Sequence, residues 1–151
     1  MKFVLDASLA LSWCFEDERT PFTEAALRAL PRLGAAAPFL WCYEVSNGLR
    51  TAQKSGRIPS EESATAILED LDALPIELIY QPPGATLVDA RRLALQQNLS
   101  VYDASYLVLA QSLSLPIGTL DGTGRRMGLK QAAAAIGVDL VDEAMLQAWL
   151  A

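Results

Sequence analysis

Short apolar runs alternate along this chain with longer stretches of helical periodicity, and that alternation limits the architectures open to it. A strand that must wait for a helix before its next neighbour arrives builds a parallel sheet covered by helices. The first run, Lys2-Phe3-Val4-Leu5, stops at Asp6, and a short helix is predicted over 8–15. Glu16-Asp17-Glu18-Arg19 is a polar break, after which Thr20 and Pro21 supply the N-cap and first residue of a helix reaching 33. Residues 35–40, interrupted by Pro38, form a weak strand, and the helix over 41–55 stops at Gly56.

The second half repeats the pattern. A helix opens at Pro59-Ser60-Glu61-Glu62-Ser63 and runs to 74, where Pro75 ends it, and 76–80 alternates like a half-exposed strand. Pro82-Pro83-Gly84 is a hinge before a helix over 85–97. A further helix runs from Asp103 to 113, and a strand over 117–120 ends at Asp121. Residues 122–124 are loop, 125–135 helix and 138–141 a last strand, with Asp142 capping a short C-terminal helix. With 151 residues and neither linker nor repeat, residues 1–151 read as one α/β domain.

Composition narrows the chemistry. The chain has no histidine, which excludes Ser-His-Asp and Cys-His nucleophile pairs and His-ligated zinc. Its two cysteines, Cys14 and Cys42, lack CxxC spacing and sit among Trp13, Phe15, Trp41 and Tyr43, the setting of buried thiols. Carboxylates, hydroxyls, Lys/Arg or a hard cation must therefore carry any reaction. A net charge of −6 argues against a broad phosphate-neutralising surface. It leaves room for a nucleic-acid enzyme whose acids belong to a metal site. No apolar run nears the roughly 20 residues of a membrane span, and the charge at Asp6 interrupts any signal-peptide pattern, so a cytoplasmic location is expected.

Four acids occupy telling positions. Asp6 and Asp121 end predicted strands, where ligands of parallel sheets gather. Asp103 opens a helix, and Glu44 lies on the shoulder of the inward face made by Trp41, Val45, Gly48, Leu49 and Ala52. Each has an ordinary alternative: Asp6 and Asp103 as helix caps, Asp121-Gly122 as a turn, Glu44 as the partner of a neighbouring arginine. If all four converge to about 5 Å, each ionised pair repels by roughly 3 kcal/mol at an effective dielectric of about 20. Mg²⁺ or Mn²⁺ is the remedy that suits oxygen-only ligands. Such a site hydrolyses phosphodiesters without histidine, with Ser8 and Thr119 placed to bind water or phosphate.

The same residues carry a resemblance. Phe3-Val4-Leu5-Asp6-Ala7-Ser8, Glu44-Val45-Ser46-Asn47-Gly48-Leu49, the segment from Tyr102-Asp103-Ala104 through Tyr106 to Ala110, and Thr119-Leu120-Asp121 together resemble the motifs of PIN-domain nucleases, in particular VapC-type toxins of toxin–antitoxin pairs. The resemblance implies a three-layer α/β/α sandwich with a mainly parallel sheet. It implies a Mg²⁺- or Mn²⁺-dependent ribonuclease in which Asp6 and Asp103 are the principal ligands and Glu44 and Asp121 complete the catalytic acids. Asn47, Ser8 and Thr119 are then supporting polar groups. A homodimer, a cognate antitoxin and a structured RNA substrate are implied as partners.

After Asp121 the chain departs from the family pattern with Gly122-Thr123-Gly124-Arg125-Arg126, a loop whose Arg125 and Arg126 are candidates for holding RNA phosphates. A phosphatase of the haloacid-dehalogenase type also places an aspartate after its first strand, but it needs a second where this chain has Ser8. A non-cutting PIN-like binding module and a PIN nuclease of RNA processing are the remaining alternatives. Large apolar residues near the presumed cleft, Trp13, Phe15, Phe39, Trp41 and Tyr43, would offer a docking groove wherever they are exposed.

Overall fold

The computed structural model describes residues 2–121 and 128–151. Four parallel strands, β1 (Phe3–Leu5), β2 (Ala35–Pro38), β3 (Ile76–Ile79) and β4 (Ile117–Gly118), pair in the order β3-β2-β1-β4. Among the described residues the helices are α1 (Ala7–Trp13), α2 (Pro21–Leu33), α3 (Leu40–Lys54), α4 (Glu61–Asp72), α5 (Arg91–Gln97), α6 (Val101–Leu113), α7 (Gly128–Ala135) and α8 (Glu143–Leu150). The chain steps from β1 to β2 to β3 in one direction, then returns across the sheet to place β4 on the far side of β1. Because crossovers between parallel strands are right-handed, the reversal puts the helices of the two halves on opposite faces. The result is the expected three-layer α/β/α arrangement. In it α1 packs on α2 and α3, while α6 lies across β1, β2 and β4.

Strand composition follows from this burial on both faces. Phe3, Val4 and Leu5 are wholly buried, as are Ala35, Ala36 and Ala37, whereas edge strand β3 is only partly covered. Helix α6 buries Ala104, Tyr106, Leu107, Leu109 and Ala110 because α5 and α7 cover what the sheet does not. Gly118 leaves little room for a side chain: a Cβ there would stand 3.0 Å from Leu9 Cδ2 and 3.1 Å from Phe3 Cδ2. That close approach seats β4 against β1 and α1.

Several boundaries move for local reasons. The polar break contains a 3₁₀ turn, Glu16–Glu18. The helix over 85–97 divides into a π-helical turn, Ala85–Ala90, and α5. Helix α6 starts before Asp103 because Ser100 caps it, its Oγ accepting the Asp103 N–H at 3.0 Å. The strand over 117–120 pairs only at Ile117–Gly118, since β1 itself ends at Leu5. The last strand, over 138–141, reduces to one bridge between Ile117 and Leu140 before Asp142 caps α8. The predicted helical start at 125–127 lies outside the described residues. Cys14 and Cys42 are half-buried rather than buried: Cys14 is the C-cap of α1, and Cys42 sits beside the inward Trp41 without sharing its depth.

Candidate active site

The strand order reverses between β1 and β4, so the carboxyl ends of these two strands open a crevice. Asp6 follows β1 and is 6 % exposed. It is the N-cap residue of α1 by backbone position, yet its side chain makes no cap bond. Its Oδ2 instead accepts hydrogen bonds from Ser8 Oγ at 2.5 Å and Thr119 Oγ1 at 2.7 Å. Those hydroxyl oxygens in turn accept the backbone N–H groups of Leu120 and Asp121, each at 3.0 Å. Asp6 is thus tied through two hydroxyls to the chain leaving β4.

The remaining acids arrive on helices and on that loop. Asp103 stands in the first turn of α6, where its Oδ2 accepts the Ser100 hydroxyl at 2.7 Å; it is not the cap itself. Glu44, on α3, accepts the Tyr106 hydroxyl through Oε2 instead of pairing with an arginine. Asn47 follows one turn further along the same helix. Asp6, Ser8, Glu44, Asn47, Asp103 and Asp121 line one open cavity of about 530 Å³, walled on one side by Leu11 and Gly48. Thr119, 3 % exposed, lies beneath it as the support of Asp6. No lysine or arginine lines this cavity among the described residues. Arg125 and Arg126 fall outside them.

Electrostatics reflect that crowding. Burial pushes the Asp6 carboxyl above its ordinary value, the Ser8 and Thr119 hydroxyls pull it back, and the Asp103 and Asp121 carboxylates raise it further. Glu44 is raised first by burial, with Asp6 and Asp103 adding to it and Tyr106 opposing. Asp6 therefore feels the charges of Asp103 and Asp121, and Glu44 those of Asp6 and Asp103, across a shared space. Among the described residues, no three of them meet around one ligating point.

Two participants escaped the sequence reading. Tyr106 lies within the Tyr102 to Ala110 segment, but its contact with Glu44 joins residues far apart in the chain. Glu18 adds a fifth acid to the cavity lining, from the run read only as a polar break. Arg57 binds Glu18 and Asp17, each at 2.7 Å, with its guanidinium 4.0 Å from the centre of the Phe15 ring. Of the large apolar residues near the cleft, Trp13, Phe15 and Trp41 are core, while Phe39 and Tyr43 are exposed and pack edge to face.

No family model matches the chain. It is 33% identical over 121 residues to Ribonuclease VapC3 of Pyrobaculum aerophilum, which spans 80% of this chain and 90% of that relative. Ribonuclease VapC1 of Mycobacterium tuberculosis is 35% identical over 85 residues, 56% of this chain and 61% of the relative. The crystal structure of PAE2754 from Pyrobaculum aerophilum superposes with a TM-score of 0.66 at 21% identity, covering 98% of this chain and 88% of the other, and so shares the fold. By its sequence relationship to VapC3, the chain belongs to the VapC-type PIN-domain nucleases.

Proposed function

We propose that this chain is the toxin of a type II toxin–antitoxin pair, a Mg²⁺- or Mn²⁺-dependent endoribonuclease that acts as one PIN-like domain over residues 1–151. The observation that carries the reading is a buried aspartate at the sheet's switch point, facing Asp103 and Asp121 in a cavity with no cationic side chain among the described residues. The donor set fits a hard cation, being oxygen throughout. Mg²⁺ would keep several waters and take only one or two carboxylates directly.

In this reading Asp6 and Asp103 would hold the ion, with Glu44 and Asp121 completing the acidic pocket. A bound ion would lower the pKa of its water and offset charge on the scissile phosphate. The protein's own contribution is orientation. Ser8 and Thr119 fix Oδ2 of Asp6, and Ser100 fixes Oδ2 of Asp103, so neither carboxylate must give up rotamer freedom when the ion arrives. The Asn47 amide offers donors to a phosphate oxygen at the cavity wall. Arg125 and Arg126, from the sequence, would hold further phosphates.

Relatives named as VapC ribonucleases support an RNA substrate and an antitoxin partner. A cavity of about 350 Å³ whose lining includes Trp13, Leu27, Ile67 and Leu71 together with Arg19 and Asp70 suits an antitoxin helix with an apolar face. A homodimer completes the reading, and the exposed, edge-to-face pair Phe39 and Tyr43 is the candidate for its contact. No helix among the described residues is long and apolar enough to cross a membrane; a cytoplasmic site of action is part of the proposal. Induced expression in bacterial cells tests the reading. Growth arrest with accumulating RNA fragments, both absent for Asp6→Ala, is expected; arrest that persists in Asp6→Ala would reject it.

A further inference from the structure

Tyr106 is wholly buried, with 0% of its surface exposed, yet it carries a hydroxyl where a phenylalanine would fill the same space. Burying that hydroxyl is costly unless it is satisfied, and here it is satisfied within the acidic site. It donates to Oε2 of Glu44 on α3. The backbone of Ala7, next to Asp6, lies within polar reach of the same oxygen. Tyr106 itself follows Asp103 by three residues on α6, close to one helical turn. A single hydroxyl thus stands where the three elements bearing Asp6, Glu44 and Asp103 meet.

From this junction we infer that Tyr106 is a positioning residue for the metal site, acting through Glu44. The inference rests on the metal-nuclease reading and adds a named determinant of ion affinity to it. With Oε2 held by the Tyr106 hydroxyl, the Glu44 rotamer is set before an ion binds, and its other oxygen would be offered to the ion or to the ion's water. Without the hydroxyl, Glu44 must find that orientation against repulsion from Asp6 and Asp103. Outer-shell partners of this kind typically change metal affinity by about 10–100-fold.

The test is a four-protein cycle of wild type, Tyr106→Phe, Glu44→Gln and the double variant, read by Mn²⁺ binding in electron paramagnetic resonance titrations with no RNA present. Tyr106→Phe is expected to weaken Mn²⁺ binding about 10-fold in the wild-type background and less than about 2-fold in the Glu44→Gln background. Unchanged affinity overturns the inference. So does an equal loss in both backgrounds, because the effect then does not pass through Glu44. Wild type that binds no Mn²⁺ rejects the metal reading and this inference with it, whereas wild type that binds while Tyr106→Phe matches it rejects the inference alone. Should Tyr106→Phe fail to fold, 3-fluorotyrosine at position 106 retains the hydroxyl. Its fluorine resonance is expected to shift on Mg²⁺ addition and to stay fixed in Glu44→Gln; a resonance indifferent to Mg²⁺ in the parent overturns the inference.

Discussion

Replacing Asp6 with asparagine removes one charge at almost constant volume, and the site's geometry sets the sign of the outcome. Asp6 is 6 % exposed and faces the carboxylates of Asp103 and Asp121. Like charges about 7 Å apart repel by roughly 2 kcal/mol at an effective dielectric of about 20. Both neighbours are half-exposed, so solvent cuts the combined repulsion to about 2–3 kcal/mol, to which relief of burying the charge adds about 1–2 kcal/mol. Against this, the Ser8 and Thr119 hydrogen bonds lose their charge-assisted part, about 1 kcal/mol each. The net is a metal-free protein more stable by about 2 kcal/mol, a rise of about 4–8 °C in Tm for a chain of this length.

The assay is thermal unfolding of wild type and Asp6→Asn in EDTA, repeated with excess Mn²⁺. Wild type gains about 3 kcal/mol at 100 times its Kd, so the order of the two proteins narrows or inverts when Mn²⁺ is added. Acidity offers a second axis. Asp6 and Glu44 titrate above their ordinary values of 3.8 and 4.5 in the fold. The stability they contribute is fully present below those values and is lost as pH rises through the raised ones. The gap between variant and wild type in EDTA is therefore widest at neutral pH and closes on acidification. An Asp6→Asn protein that melts below wild type in EDTA at neutral pH, or that gains as much from Mn²⁺, refutes the electrostatic reasoning.

Other outcomes follow from the same geometry. Gly48→Ala puts a Cβ 2.6 Å from Leu11 Cδ1, so Leu11 must swing within the cavity it lines; RNA KM should rise several-fold for about 1 kcal/mol of stability, measured by steady-state cleavage and melting. Burial pushes the Cys14 thiol up to about 11, with Glu18 adding to the effect. At pH 8 it should react with a disulfide reagent at least about tenfold more slowly than in the unfolded chain, as absorbance would record. Arg125→Ala with Arg126→Ala should weaken RNA binding and reduce its salt dependence while Mn²⁺ affinity stays unchanged, as filter binding and metal titration would show.

Much of this was legible in the chain because parallel α/β folds write their site into local patterns. An apolar run that ends in an acid marks a strand's carboxyl end, and for Asp6 and Asp121 that rule found the cavity. Thr20 with Pro21 fixed the start of α2, where Thr20 and Thr23 cap each other reciprocally. Local pattern was weaker where a nonlocal partner decides. Val138-Asp139-Leu140-Val141 has strand character but gains only one bridge, because the chain turns away into α8. Asp103 looked like a cap until Ser100, three residues earlier, took that role. The Tyr106–Glu44 bond spans 62 residues of chain, and neither residue announces the other. Glu18 was hidden differently: its helical turn is held by Arg57, whose position no short-range pattern reveals.

The central claim is that the acidic cavity cuts RNA with a divalent ion. Cleavage of a mixed RNA substrate by purified chain, with Mn²⁺ or Mg²⁺, with EDTA, and by Asp6→Ala tests it most directly. The account expects fragments from wild type with metal and none from the other two. Cleavage that survives both EDTA and Asp6→Ala, or none by a folded, antitoxin-free wild type on any RNA offered, contradicts it.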